Sequence, residues 1–241
     1  MSSQTSLIRP FHDPAALAEA YRLLETGEVI AAPTDTVYGL MCRFDQAEAI
    51  ARLYVAKGRP PEKAIPVLIA DVDQMERLVK LPLSSLAAAL AERFWPGPLT
   101  LILPALPHLP SILTAGQPTV GVRMPNHDQL RLLIRQTGPL AATSANRSGG
   151  PEAHTADEVL AQLEGHIPLI LSDDEPASQA SPASTIVDIT TPDEGGVRIL
   201  RAGPLGEEIR GWLAAWGHGR CSALTPPVPC ESGAPARNAI H

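Results

Sequence analysis

Aromatic residues are scarce in this chain: Phe, Tyr and Trp together make up 4% of its 241 residues. The core must therefore be built from Leu, Val, Ile and Ala. Cysteine is rarer still. Cys42, Cys221 and Cys230 form an odd set without CxxC spacing, which argues against a disulfide framework or a cysteine-ligated zinc and for a reduced intracellular protein. The seven histidines are scattered, with no pair at metal-ligand spacing, so no metal site is expected. Apolar runs such as Leu99–Leu103 and Ile167–Leu171 fall far short of the roughly 20 residues that cross a bilayer. Met1–Pro10 has no basic segment followed by an apolar one, so no signal peptide and no membrane contact is expected, and a cytoplasmic location follows. A formal charge of −7 speaks against a surface that binds nucleic acid everywhere, though it leaves room for a local basic pocket. No GxxxxGK[ST], GxGxxG or GxSxG occurs, so P-loop, dinucleotide and serine-hydrolase chemistry have no local support.

What is present is an interleaving of strand and helix signals with no internal repeat, the mark of an α/β domain around a single sheet. Asp13-Pro14 suits a helix start, followed by Leu17, Ala20, Tyr21 and Leu24 at helical spacing and a stop at Gly27. Glu28–Ala32 reads as a buried strand and Asp45–Lys57 as a helix. Ala64–Ala70 reads as a strand that Pro66 assigns to an edge or a bulge. Helices are expected near Val72–Val79, Ser84–Phe94, Asp128–Gln136, from Thr155 to about Glu164 behind a Thr155/Glu158 capping box, and over Gly206–Trp216. Further strands are expected at Leu99–Leu103, Thr119–Met124, Pro139–Thr143, Ile167–Ser172, Thr185–Ile189 and Val197–Arg201. Pro-containing strands and irregular spacing favour a mixed sheet. The domain is expected to span residues 1–216, with 217–241 as a tail rich in Pro, Ala, Ser and Gly.

Three segments place small polar residues and glycine or proline at the end of an element: Thr34–Gly39, Lys57–Pro60 and Ser144–Gly150. In α/β sheets, ligands gather at strand ends. Thr34, Asp35 and Thr36 can bind a small polar ligand or simply cap their own turn. Lys57 and Arg59 can meet an anion or complement a helix C-terminus. Arg123, between Val122 and Met124, must face solvent or meet an anion. Ser144, Asn146 and the Gly149-Gly150 pair could cradle phosphate. Cys42 and Trp95 read as packing residues and His127 as a helix-start cap.

The motifs Pro33-Thr-Asp-Thr-Val-Tyr-Gly-Leu40, Lys57-Gly-Arg-Pro60, Pro96-Gly-Pro-Leu-Thr100, Val120-Gly-Val-Arg-Met-Pro125, Thr143-Ser-Ala-Asn146 and Ser184-Thr185 occur in that order. Together they resemble the YrdC/Sua5 family of threonylcarbamoyl-AMP synthases, over about Leu17–Leu205. The resemblance implies a single α/β domain, a twisted mixed open sheet with a concave basic cleft. It also implies synthesis of L-threonylcarbamoyladenylate from L-threonine, bicarbonate and ATP with release of pyrophosphate. That product is used to modify adenosine 37 of tRNA through a downstream threonylcarbamoyl transferase. By the same resemblance, Thr36, Arg123, Ala142 and Ser184 would hold L-threonine. Lys57, Arg59, Lys63, Thr119, Ser144, Asn146 and Arg201 would hold ATP, which would carry its own Mg²⁺, with Lys57 and Arg59 as the catalytic clamp on the leaving pyrophosphate.

The sequence departs from the family pattern at Leu68, Lys63, Thr143 and Glu152. Glu152 is left out of the expected site because an inward carboxylate would repel phosphate. The long C-terminal domain of the Sua5 type has no counterpart in this sequence. Two rivals share the resemblance: a double-stranded RNA or tRNA-binding module without synthase activity, and the carbamoyl-transfer domain of hydrogenase maturation proteins. The second normally sits within a longer chain whose additional segments are not found here.

Overall fold

The computed structural model describes residues 5–60, 62–173, 181–190 and 197–217. Helix α1 (Pro14–Glu25) starts where Asp13-Pro14 predicts, with the Asp13 carboxylate accepting from Ala15 N–H at 2.9 Å. Gly27, at φ +80°, turns the chain out of it. Ala16, Ala20, Leu23 and Leu24 form its buried stripe, whereas Tyr21 is 41% exposed. Tyr21 stands among the apolar positions at helical spacing but outside this stripe. One residue round from Ala20, it sits at the stripe's margin, where its hydroxyl can stay in water.

Strands β1 (Leu7–Pro10), β2 (Ile30–Ala32) and β3 (Gly39–Arg43) flank α1 in sequence, and helix α2 (Ala47–Lys57) follows. After β4 (Val67–Leu68) and a 3-10 turn (Val72–Arg77) come α3 (Ser85–Phe94), β5 (Leu99–Pro104) and the short α4 (Ser111–Thr114). The order continues with β6 (Thr119–Arg123), α5 (Asp128–Thr137), β7 (Leu140–Ser144), α6 (Ala156–Leu163), β8 (Leu169–Ser172), β9 (Thr185–Asp188) and β10 (Arg198–Arg201). Helix α7 (Gly206–Gly217) comes last. The capping box predicted from Thr155 and Glu158 is formed at the start of α6, and His127 caps α5 by accepting from Leu130 N–H at 3.2 Å.

Among the described residues the strands make one mixed sheet in the order β1-β8-β2-β3-β7-β4-β6-β5-β9-β10. Four neighbouring pairs are parallel (β1–β8, β2–β8, β4–β6, β5–β9) and the other five are antiparallel. β4 corrects an expectation: it lies in the middle, parallel to β6 and antiparallel to β7. Pro66 is accommodated because it stands just before the paired residues, where its carbonyl still accepts from Ala142 N–H at 2.9 Å. Leucines and alanines of α1 and α5 pack on Ile30, Ala32, Met41, Leu140, Ala142, Leu169 and Leu171, which point to one face of the sheet. Cys42 points to the other face and is fully buried.

The described residues fall into two compact units, one ending at Gly206 and the other beginning at Glu207. Within the second, the Trp212 and Trp216 rings stack with centroids 4.9 Å apart. The expected tail lies outside the described residues from 218 onward. Among the described residues, no helix is long and apolar enough to cross a membrane.

Candidate functional site

A cleft of about 280 Å³ opens on the sheet face that carries Leu68 and Ala142. Its floor follows the two-residue period of the strands: Thr100 and Ile102 from β5, Gly121 and Arg123 from β6, Ala142 and Ser144 from β7. The segment after β2 supplies Thr34 and Thr36, the start of β9 supplies Ser184, the end of β10 supplies Arg201, and the turn after α2 supplies Arg59. Every charged residue on this wall is an arginine: Arg59, Arg123 and Arg201.

Arg123 is 6% exposed, so its charge needs partners. Its Nε donates to Gly97 O at 3.1 Å, Nη1 to Thr36 Oγ1 at 3.0 Å and Nη2 to Asp35 Oδ1 at 2.5 Å. Burial pulls its pKa down and Asp35 pulls it back up, but a guanidinium stays charged throughout. A guanidinium has five N–H groups, so these three bonds leave two of them untaken on a residue that lines the cleft. The hydroxyl network beside it has a definite polarity. Thr34 spends its one O–H on Val37 O at 2.7 Å. The 3.1 Å contact between the Thr34 and Thr36 hydroxyls must then be donated by Thr36. Thr36 also accepts from Arg123, which leaves it one lone pair for a ligand donor.

On the same wall, Arg201 holds Ser184 through Nε to the carbonyl at 2.8 Å and Nη2 to Oγ at 3.1 Å. Ser184 Oγ also lies 2.9 Å from Thr100 Oγ1. Arg59 is braced by its own turn, with Nε donating to Lys63 O at 3.2 Å and Nη2 to Ala64 O at 2.9 Å. Burial pulls the pKa of both Arg59 and Arg201 below the usual range.

The structure therefore brings Thr36, Arg123, Ala142, Ser184, Arg59, Ser144 and Arg201 onto one wall. Lys57, Lys63, Thr119 and Asn146 are not on it. Lys63 is exposed beside the cleft. Thr119 opens β6 on the same side of the strand as Gly121 and Arg123. Asn146 spends both amide hydrogens on Arg147 O (3.0 Å) and Gly150 O (2.7 Å), and its oxygen on Lys57. Lys57 is buried beneath this loop, pushed down to about 8 by burial and Arg59, with Glu152 pulling the other way.

Sequence reasoning left out Asp35 as a partner for Arg123, and Tyr38 and Thr100 as wall residues. Thr100 carried a signal: a lone hydroxyl inside Leu99-Thr-Leu-Ile-Leu103 that is buried in the fold. Tyr38, likewise mostly buried, is pushed up to about 12 by burial and then by Asp173.

The chain is 46% identical over 158 residues to the threonylcarbamoyl-AMP synthase of Bacillus subtilis, covering 65% of this chain and 45% of that one. It is 37% identical over 226 residues to the enzyme of the same name from Pyrococcus abyssi, covering 90% of this chain and 65% of that one. It thus spans less than two thirds of the length of either relative. Among solved structures, Sua5 of P. abyssi complexed with L-threonine matches at TM-score 0.76 and 36% identity, covering 86% of this chain and 59% of that one. The family model for Sua5, YciO and YrdC, described as telomere recombination, matches residues 22–203. Those residues contain every side chain on the cleft wall, and on that match the chain belongs to the Sua5/YciO/YrdC family.

Proposed function

We propose that this chain makes L-threonylcarbamoyladenylate from L-threonine, bicarbonate and ATP, releasing pyrophosphate. The observation that carries this reading is that one cleft wall holds two unlike sets of groups. One is a buried, pre-bonded guanidinium beside an acceptor hydroxyl, Arg123 and Thr36. The other is a pair of further guanidiniums, Arg59 and Arg201, on the same wall as the Ser144 hydroxyl. The first suits an α-carboxylate with a neighbouring amine, and the second suits phosphate oxygens. Relatives that carry the synthase name, and one solved with L-threonine, support the same assignment.

In this reaction the threonine amine attacks bicarbonate carbon, water leaves, and a carbamate forms. A carbamate oxygen then attacks the α-phosphorus and pyrophosphate departs. No protein nucleophile is required. The chain supplies orientation and positive charge at the leaving group. Arg123, with Ser184 and Ala142, fixes the amino acid; Arg59 and Arg201 take up charge on the phosphates, with Lys63 and Thr119 at the margin. Mg²⁺ would arrive with ATP as part of the substrate. Among the described residues, no group of three or more His, Cys, Asp or Glu is placed to hold an ion, and the cleft's guanidiniums and hydroxyls suit phosphate oxygens. A downstream transferase would pass the threonylcarbamoyl group to adenosine 37 of tRNA, in the cytoplasm.

The test is ATP-dependent pyrophosphate release, measured with and without L-threonine and bicarbonate. Release is expected only when both are present. Release indifferent to threonine overturns the assignment. RNA binding displaced by ATP, with no pyrophosphate formed, would favour an RNA-binding module instead.

A further inference from the structure

Two of the expected cations are not on the cleft wall, the exposed Lys63 and the buried Lys57. Lys57 is the last residue of α2 and is 4% exposed. Its ammonium lies 2.5 Å from Ser144 O and 3.2 Å from Ser144 Oγ. It also lies 2.7 Å from Asn146 O and 2.9 Å from Asn146 Oδ1. An ammonium has three hydrogens, and these four oxygens take all of them, so none is left for a phosphate.

The loop is held to the end of α2 at further points. Ser148 N–H donates to the Lys57 carbonyl at 2.9 Å, and Arg147 Nη1 reaches Ala56 O at 3.4 Å. Asn146 braces the loop from inside through its two amide bonds. Gly58, at φ +64°, lets the chain turn away immediately after Lys57 without a side chain in the way.

Ser144 is where this scaffold meets the cleft. Lys57 gives a hydrogen to a lone pair of Ser144 Oγ, so the serine keeps its own O–H to give, and Ser144 lies on the cleft wall. A cation directly behind a hydroxyl strengthens that hydroxyl as a donor.

We propose that Lys57 is a positioning residue: it fixes residues 144–146 and presents the Ser144 hydroxyl to a phosphate oxygen of the nucleotide, without touching the nucleotide itself. This rests on the reading of the cleft as a nucleotide site. It differs from a phosphate clamp in one measurable respect, because an effect transmitted through Ser144 cannot survive the loss of Ser144.

The test is a double-mutant cycle in the full chain with Lys57→Met, Ser144→Ala and the pair, reading KM for ATP, KM for L-threonine and kcat in the pyrophosphate assay. Each single substitution is expected to raise the ATP KM by roughly tenfold, the scale of one charge-assisted hydrogen bond. The threonine KM should hold within about twofold. The double variant is expected to be no worse than Ser144→Ala alone, since Lys57 has nothing left to act through. Effects that multiply in the double variant would show an independent contact and overturn the proposal, as would a threonine KM that rises in step with that for ATP. If Lys57→Met does not fold, Lys57→Gln takes its place, with ATP affinity read by titration calorimetry. Wild-type protein that makes no threonine-dependent pyrophosphate overturns the synthase reading. Wild-type protein that does, together with multiplying effects, overturns only the role given to Lys57.

Discussion

Arg123 and Asp35 form an ion pair at 2.5 Å in which the two side chains are 8% and 12% exposed. Asp35 holds the guanidinium from outside the cleft wall, since Arg123 lines the cleft and Asp35 does not. This pairing fixes one edge of the guanidinium and keeps a buried charge from standing alone. Removing one member of such a pair costs about 3–5 kcal/mol. Asp35→Ala is therefore expected to lower the melting temperature markedly and to raise the threonine KM far more than the ATP KM. Asp35→Asn keeps an oxygen acceptor toward Nη2 and should recover most of the stability. Equal loss for both substrates in Asp35→Asn would show that Asp35 does not act through Arg123.

The titration of Lys57 gives a second prediction. Burial, then Arg59, push it down to about 8, while the carboxylate of Glu152 raises it. The profile of kcat/KM for ATP, which reports the free enzyme, should fall on the alkaline side near that pH as the ammonium loses its proton. Glu152→Gln removes the raising charge, so the fall should move to lower pH. Unfolding does not mimic this effect. With its pKa below the ordinary 10.5, Lys57 is deprotonated in the folded chain between about 8 and 10.5, where the unfolded chain still binds the proton. In that window its contribution to stability rises with pH. A fall in kcat/KM that tracks a falling melting temperature would count against this origin.

Gly121 gives a third. It lies on the cleft floor, where an added Cβ would meet Pro66 Cβ at 3.2 Å and Ile102 Cδ1 and Thr100 Cγ2 at 3.3 Å. These neighbours are side-chain atoms that can shift by a few tenths of an ångström. Gly121→Ala should therefore cost no more than about 1–2 kcal/mol, but should shallow the cleft and raise KM for the ligand over β6. A variant with unaltered kinetics would show that the floor at Gly121 is not covered by substrate.

Local signals were legible wherever one residue decides one feature: Asp13-Pro14 starts α1, the Thr155/Glu158 box starts α6, and His127 caps α5. The convergence of Thr36, Arg59 and Ser144 was suggested by polar residues at element ends, whereas Arg201 entered only through the family resemblance. Strand β3 was missed because Gly39-Leu-Met-Cys-Arg43 is apolar without alternation. It is buried on both faces between β2 and β7, and a fully buried strand shows no period-2 pattern. Pro66 pointed to an edge because sequence does not reveal whether pairing begins before or after a proline. The allocation of donors was also hidden. Nothing in Ser144-Ala-Asn146 says that Asn146 would spend its whole amide on the loop, or that Lys57 would turn inward to it. The turn of Lys57 inward depends on residues more than 80 positions apart meeting in space.

The last prediction concerns how Ser184 and Arg201 stay in register. Gly203 follows β10 and packs backbone to backbone against the start of β9. A Cβ there would lie 2.4 Å from Ala183 O, 2.5 Å from Thr185 N and 2.7 Å from Ser184 C. None of these atoms belongs to a side chain that can swing away, so Gly203→Ala must displace one segment from the other. The Arg201 bonds to Ser184 O and Oγ span that junction, and Thr185 Oγ1 accepts from Leu205 N–H at 3.0 Å just beyond it. The substitution should cost about 2–3 kcal/mol by overpacking and should weaken both substrates together if, as proposed, Ser184 serves the amino acid and Arg201 the phosphates. Gly149→Ala is the control: its φ of +82° strains an alanine, but no atom lies within 4 Å of the new Cβ. It should cost about 1 kcal/mol. Thermal unfolding with paired KM measurements separates the two. A Gly203→Ala protein as stable as Gly149→Ala, with both KM values unchanged, would show that the close approach of these backbones does not set the distance between Ser184 and Arg201.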